Sequence, residues 1–458
     1  DKVVKTVKEQ NSAHEMLFKL SSELENSPVK IYLMIDEYDN FTNSILADYG
    51  GSEYNKISRE AGYFKQFFSN LKAMASGSGA GLARMFITGV SPVTMDDVTS
   101  GFNVGTNISL REQFNELLGF TQNDVEEIID YYTKSGVFHL DKQKTISTMK
   151  KWYDNYQFSN RCKNKMFNTD AILYFMSNSL NTNYMLENLI DDNLRMDYSK
   201  LRHLMILDQQ SNYNFSKLKE IIETGSITSP IVTSFPFDKL TVSGNFISLL
   251  YYFGLLTYSG KTNSGDPVLV IPNETVRTIM FEYIRLSYET LDAFTIDIFR
   301  LREEYRKLAY KGDFKPTFQF LADEIKKQTR IRDYINGEKV IQGFFLAYLN
   351  IVDFYISLSE EEMNKGYADI VMKPFYVKYP DIKYSYLIEF KYIARTDSEK
   401  ELKAELSKKL KDAETKLAQY ADDDFAKKMM CTAPYGDVKL KKIIVIFHGW
   451  EMIYLMEN

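Results

Sequence analysis

Cysteine and histidine are scarce in this chain. Two cysteines, Cys162 and Cys431, cannot build a disulfide framework, and they fit a reducing, cytoplasmic (intracellular) setting. Four scattered histidines (His14, His139, His203 and His448) and those two thiols do not assemble a zinc site. Long apolar runs are missing too. The longest, Phe246 to Tyr258, falls short of the roughly 20 residues needed to cross a bilayer, so no membrane partner is expected. No signal peptide is visible. Basic charge is not in excess: Lys+Arg 56 against Asp+Glu 62 leaves −6, which leaves room only for a local basic groove. The chain starts at Asp1 without an initiator Met, in residues that already read as a helix, so sequence upstream is expected.

What is present is enough for two or three domains, since 458 residues can bury sizeable cores. Residues 12–26 read as an amphipathic helix stopped by Pro28. The apolar run Val29–Ile35 that follows suits a strand buried on both faces of a parallel sheet. Asp36 and Glu37 stand at its carboxyl end, where open α/β sheets bind ligands. They look like a Walker B element, in which the first acid holds Mg²⁺ and the second polarises the attacking water. A polar, Gly-containing segment (48–60) leads to a helix over 63–75, and a second apolar strand, 83–90, contains Thr88 near its end.

Two glycine-bearing stretches imitate a phosphate loop. Ser76–Gly81 lacks the G-x-x-x-x-G-K-[ST] spacing and precedes a strand rather than following one, so it reads as a connection. Ser259–Thr262 has Leu255 where the leading Gly is required and reads as a hairpin tip. Thr121 is an N-cap candidate for a helix over 124–132, and the aromatic cluster 151–158 reads as core around an Asp154–Asn155 turn. Residues 168–230 are mostly helical in pattern. A helix, a hairpin and a helix follow over 245–283, a winged-helix-like lid, and a charged helical connection covers 284–335.

Chemistry concentrates near the C-terminus. Gly366–Met372 and Leu387–Lys391 read as strands, and the period-2 rule puts Glu389 and Lys391 on one face. An antiparallel pair brings Asp369 beside Glu389, and two carboxylates with an ammonium suit a hard divalent cation and a water. Lys391, expected to be half-exposed, either orients or deprotonates that water. Taken alone, Glu-x-Lys also describes the solvent face of an ordinary strand. Upstream, Glu338 shares a helix face with Ile341, Phe345 and Leu349, and a carboxylate there needs a partner that a metal site would supply. A long helix over 398–420 turns Leu402, Leu406, Leu410, Leu417 and Tyr420 inward, and Lys441–Phe447 reads as the strand closing the sheet.

The order helix-Glu, strand-Asp, strand Glu-x-Lys, helix resembles the PD-(D/E)XK nuclease superfamily. The stretches 33–41, 86–93, 117–125, 150–158, 251–260 and 268–276 together resemble predicted AAA-ATPase-like proteins that end in such a domain. The resemblance implies an α/β protein with three parts: an AAA-like P-loop ATPase core fragment over 1–150, a helical and winged lid over 151–300, and a restriction-endonuclease-like α/β domain over 301–458. It implies Mg²⁺ or Mn²⁺ at Asp369 and Glu389, catalysis by Asp369, Glu389 and Lys391 with help from Glu338, and nucleic acid as partner, DNA ahead of RNA. Asp36, Glu37 and Thr88 become nucleotide-binding candidates, Thr88 as the γ-phosphate sensor, and Gln419 a residue that assists the nuclease site. Homo-oligomerisation stays open. Two positions depart from the pattern: Asp154–Asn155 replaces Asn-Gly, and Tyr367 replaces an Arg that would contact phosphate. With the acidic total and the missing Walker A, Tyr367 favours the rival reading, a non-catalytic scaffold binding nucleic acid or protein.

The missing phosphate loop generates a prediction. These 458 residues contain no G-x-x-x-x-G-K-[ST], so the purified chain is expected to release no phosphate from ATP above background. Turnover at ~1 s⁻¹ or more, lost in Glu37→Gln, would contradict it.

Overall fold

In the computed structural model, apolar alternation and 3.6-residue stripes resolve into helices laid against sheets. It describes residues 2–40, 44–45, 51–58, 62–90, 105–159, 161–183, 185–186, 188–191, 217–218, 220–221, 224–236, 239, 242–280, 282, 294–328, 337–352, 354–363, 366–376, 378–421, 432–433 and 436–458. Several sequence readings fall outside them, among them residues 91–93, His203 and Cys431.

Near the N-terminus, β1 (Ile31–Ile35) and β2 (Leu82–Ile87) pair in parallel. With them go α1 (Lys2–Lys8), α2 (Ala13–Glu23), α3 (Gly51–Ser58) and α4 (Tyr63–Ala75). Phe68, Leu71 and Met74 of α4 pack with Leu82, Leu17 and Leu33 on one face of the pair. The other face is open, with Tyr32 58% and Met34 71% exposed. The expected strand buried on both faces is therefore corrected: among the described residues, helices cover one side only. A second correction is α3, which turns part of the supposed polar segment 48–60 into a helix burying Tyr54. The 76–81 connection is structural, because the Gly79 carbonyl accepts from the Asn26 N–H at 2.9 Å and the Lys30 ammonium at 2.8 Å.

In the middle of the chain, α5 (Gln122–Lys134) starts at Thr121 with a reciprocal cap between Thr121 and Asp124. With α6 (Lys142–Tyr153) and α7 (Thr169–Ser179) it encloses a core of Ile129, Met149, Trp152, Tyr153 and Phe175. Asn155 takes φ +88°, which a short polar side chain tolerates. Its amide donates to the Pro272 carbonyl, while Asn273 donates to that of Asp154. The expected helix, hairpin, helix order is present as α8 (Ser243–Tyr252), the hairpin and a helix over 274–280. A strand was not foreseen in 168–230: β3 (Ser226–Thr228) pairs with β5 (Pro267–Val270), which pairs with β4 (Thr257–Lys261).

The C-terminal part comprises α9 (Ile298–Lys311), α10 (Lys315–Lys327), α11 (Glu338–Leu349), β6 (Tyr355–Met363), β7 (Gly366–Pro374), β8 (Tyr384–Ile393) and α12 (Glu399–Ala421). A small pair, β9 (Thr432–Ala433) and β10 (Gly436–Asp437), precedes β11 (Lys439–His448) and β12 (Glu451–Glu457). The five-stranded sheet runs β12-β11-β8-β7-β6. Strands β8 and β11 are parallel, with α12 between them in the chain, and the other neighbours are antiparallel. The strand at Lys441–Phe447 is thus internal rather than closing, because β12 folds back on it through Gly449 at φ +59°. Ile370, Met372, Ile388, Phe390, Val445 and Phe447 face a core that includes Leu308, Phe318 and Phe345. Val371, Leu387, Ile444 and Ile446 face Ala413, Leu417 and Tyr420 of α12.

The supposed connection 284–335 supplies part of that core. The hydroxyl of Tyr305 donates to the Leu349 carbonyl at 2.9 Å, and that of Tyr386 to the Leu308 carbonyl at 2.6 Å, both buried. Tyr386→Phe, which orphans a buried carbonyl, is expected to cost about 1–2 kcal/mol, read as a lower denaturant midpoint at unchanged m. An unchanged midpoint would mean that the helix is held by packing alone.

Candidate functional site

The ladder between β7 and β8 runs from Met372↔Tyr386 to Ile370↔Ile388. One step further, at Asp369 and Glu389, a side chain enters: the Phe390 N–H donates to Asp369 Oδ2 at 2.8 Å. By alternation Asp369, Glu389 and Lys391 lie on the face that α12 covers. Glu389 is 0% and Lys391 3% exposed, which excludes the solvent-face alternative. It also corrects the expectation of a half-exposed lysine, because α12 roofs the strand and closes the water off.

Two ammoniums converge on one oxygen. Lys391 Nζ donates to Glu389 Oε1 at 2.7 Å, and Lys416 Nζ of α12 lies 3.0 Å from the same atom. Among the described residues, Glu389 Oε2 is buried with no hydrogen-bond partner. Lys391 is also 3.7 Å from Glu338 and 3.5 Å from Asp412. Glu338 is the first residue of α11, after Gly337 at φ +111°, a conformation that favours glycine. There its carboxylate sits at the favourable end of the helix dipole and accepts from the Tyr392 N–H at 3.3 Å. The partner expected for this carboxylate is thus met in part by the Tyr392 N–H and the Lys391 ammonium. One turn on, buried Gln342 donates to the backbone carbonyl of Asp369.

Gln342, Asp412 and Lys416 were missed by sequence reasoning. Gln342 signals itself as a lone amide in an apolar helix. Asp412 and Lys416 each stand one residue before the buried Ala413 and Leu417, so they border the inward stripe while staying partly open to solvent. Gln419 is exposed, whereas Tyr420 beside it is buried. The Tyr367 side chain lies outside the described residues.

Charge dominates this cluster. Burial, followed by repulsion from Glu389, raises the Asp369 carboxyl to about 7, against the pull of Lys391 and the Phe390 N–H. Burial alone would lower the Lys391 ammonium. The attractions of Glu389, Asp369 and Glu338 outweigh it and hold Lys391 above the ordinary lysine value. In the metal-free chain this keeps Lys391 a charged donor toward Glu389. Burial, with Glu389 and Asp369 nearby, pushes the Tyr420 phenol up to about 12.

The donor set fits a divalent cation. Four carboxylates face two ammoniums, and the orphaned Oε2 is a hard oxygen ligand without a proton donor. Among the described residues, no three His, Cys, Asp or Glu side chains gather into a full metal cage. Two carboxylates with waters completing the shell are what Mg²⁺ commonly takes.

A second cluster lies at the carboxyl ends of β1 and β2. The Thr88 hydroxyl donates to Asp36, and the Glu37 N–H donates to Thr88 Oγ1 at 3.3 Å. Glu37 adopts φ +49°, with Asn40 donating to its carboxylate at 2.9 Å. Buried Asp39 accepts from the Val90 N–H at 3.1 Å. The three nucleotide candidates are therefore neighbours, far apart in sequence and joined by parallel pairing.

Residues 336–457 match the model of the PD-(D/E)XK nuclease superfamily, which implies a restriction-endonuclease-like fold for the domain holding Asp369, Glu389 and Lys391. Residues 1–99 match the model described as a predicted AAA-ATPase, and they contain Asp36, Glu37 and Thr88. No curated protein and no solved structure matches the chain. Among the described residues no helix is long and apolar enough to cross a membrane.

The raised Asp369 carboxyl makes metal-free stability depend on pH. Between about pH 4 and about 7 the folded chain keeps a proton that the unfolded chain releases. This contribution is fully present below about pH 4 and is lost as pH rises through about 7; it is on the order of 4 kcal/mol. Denaturant midpoints measured in chelator across that range should fall with pH in the wild type and fall less in Asp369→Asn. Equal slopes would place Asp369 in a better-solvated setting.

Proposed function

We propose that the C-terminal domain is a metal-dependent nuclease that hydrolyses phosphodiester bonds, with DNA favoured over RNA as substrate, and that the ATPase-like module is coupled to it. One observation carries the reading: a fully buried glutamate with an orphaned oxygen stands opposite a carboxylate on the adjacent strand, beside a buried lysine. An oxygen of Glu389 left over from the ion pairs supports a ligand role, because buried polar atoms ordinarily find a partner.

Asp369 and Glu389 are the residues that would hold Mg²⁺ or Mn²⁺. When bound, such an ion supplies Lewis acidity and lowers the pKa of its water. The chain's own groups do the positioning. The Phe390 N–H fixes one oxygen of Asp369, and Gln342 fixes the backbone behind it. Lys391, held protonated by Glu389 and Glu338, donates toward the water or a phosphate oxygen. Glu338 in turn is anchored by the Tyr392 N–H, which keeps the ammonium aimed. At the N-terminal cluster, Asp36, Glu37 and Thr88 would serve ATP once a phosphate-binding loop is supplied.

The test is cleavage of single- and double-stranded DNA and RNA with Mg²⁺ or Mn²⁺. The isosteric variants Asp369→Asn and Glu389→Gln are each expected to lose at least about 10²-fold in rate. Lys391→Arg should lose activity yet stay folded, whereas Lys391→Ala should also lose stability, about 3 kcal/mol, by weakening the compensation of a buried charge. Absence of cleavage by the wild type on every substrate would favour the scaffold reading.

A further inference from the structure

We propose that Lys416 is a built-in counter-ion for Glu389 that a divalent cation must displace, so that this lysine sets the metal affinity of the site. The inference rests on the reading of Asp369 and Glu389 as metal ligands.

The two lysines on Glu389 Oε1 are not equivalent. Lys391 has a side chain 2% exposed and is held by Glu389, Glu338 and Asp412. Lys416 is 37% exposed, comes from the roofing helix rather than the sheet, and among the described residues has its ion pair with Glu389 at 3.0 Å. A fully buried carboxylate is costly unless its charge is compensated. Lys391 is shared with two other acids, so Lys416 supplies the remaining charge.

A cation bound between Asp369 and Glu389 changes that balance. Glu389 would then be compensated by the ion as well as by the lysines, and an ammonium close to a divalent ion would be repelled. Lys391 is enclosed and cannot leave. Lys416 has a four-carbon stem and an open path to water, so it is the group that moves. Each binding event therefore breaks the Lys416–Glu389 pair first, which lowers the apparent affinity for metal.

The experiment is calorimetric titration of the full chain with Mn²⁺, alongside the melting temperature with and without the ion. Lys416→Met is expected to bind Mn²⁺ about tenfold tighter than wild type. Its metal-free form should melt lower, and it should gain more from Mn²⁺. Lys416→Gln keeps a polar end on the half-exposed helix face, guards against a folding failure of the Met variant, and should behave alike. Lys416→Arg should stay near wild type. Equal or weaker binding by Lys416→Met and Lys416→Gln, with binding lost in Glu389→Gln, would overturn the counter-ion role and leave the metal site standing. Binding unaffected by Glu389→Gln, or seen in no variant, would overturn both.

Discussion

The charge that cannot be left alone is Glu389. It sits at 0% exposure in the middle strand of a five-stranded sheet, where an uncompensated carboxylate would cost several kcal/mol. The surrounding structure answers to that demand. Lys391 must lie two residues on, on the same face, and α12 must dock in the register that delivers Lys416 as well as Leu417. Strand β7 must end its pairing where Asp369 comes level with Glu389. A one-residue slip of β8 would turn Glu389 into the apolar core around Phe345 and expose Phe390 to the charged side.

The apolar face of the same sheet makes that demand affordable. Phe345 lies against Phe390 at 5.1 Å and Phe447 at 5.7 Å, and Phe318 stacks on it at 5.5 Å. Helix α11 thus does two jobs with one stripe. Its body packs into the core, while its first two turns bring Glu338 to the Lys391 ammonium and Gln342 to the Asp369 backbone. The supports of the site are core elements rather than loops.

The N-terminal unit follows a similar logic with less enclosure. Parallel pairing of β1 and β2 aligns Ile35 with Ile87, and the residues just beyond, Asp36 and Thr88, meet at the strand ends. Its sheet keeps an apolar face open at Tyr32 and Met34, so it is held mainly by α2 and α4 on the other side.

Much of this was legible in the chain itself. Short-range periodicity located β7, β8, α4, α11 and α12, the Thr121 cap, and the hairpin between β4 and β5, because helix stripes, caps and turns are local physics. Alternation also put Glu389 and Lys391 on one face and Asp369 within reach. Strand β6, with its run of acids at Glu360–Glu362, does not alternate in the usual way, and the internal place of β11 depends on β12 folding back. Exposure was likewise not legible. The same period-2 pattern describes a solvent face and a face roofed by a helix, and only the docking of α12 turned Lys391 from a surface lysine into a buried one. Asp412 and Lys416 read as ordinary helix charges until packing set Asp412 beside Lys391 and Lys416 beside Glu389. Which oxygens are paired and which is orphaned is set by contacts between residues far apart in sequence, and those exist only once the sheet has closed.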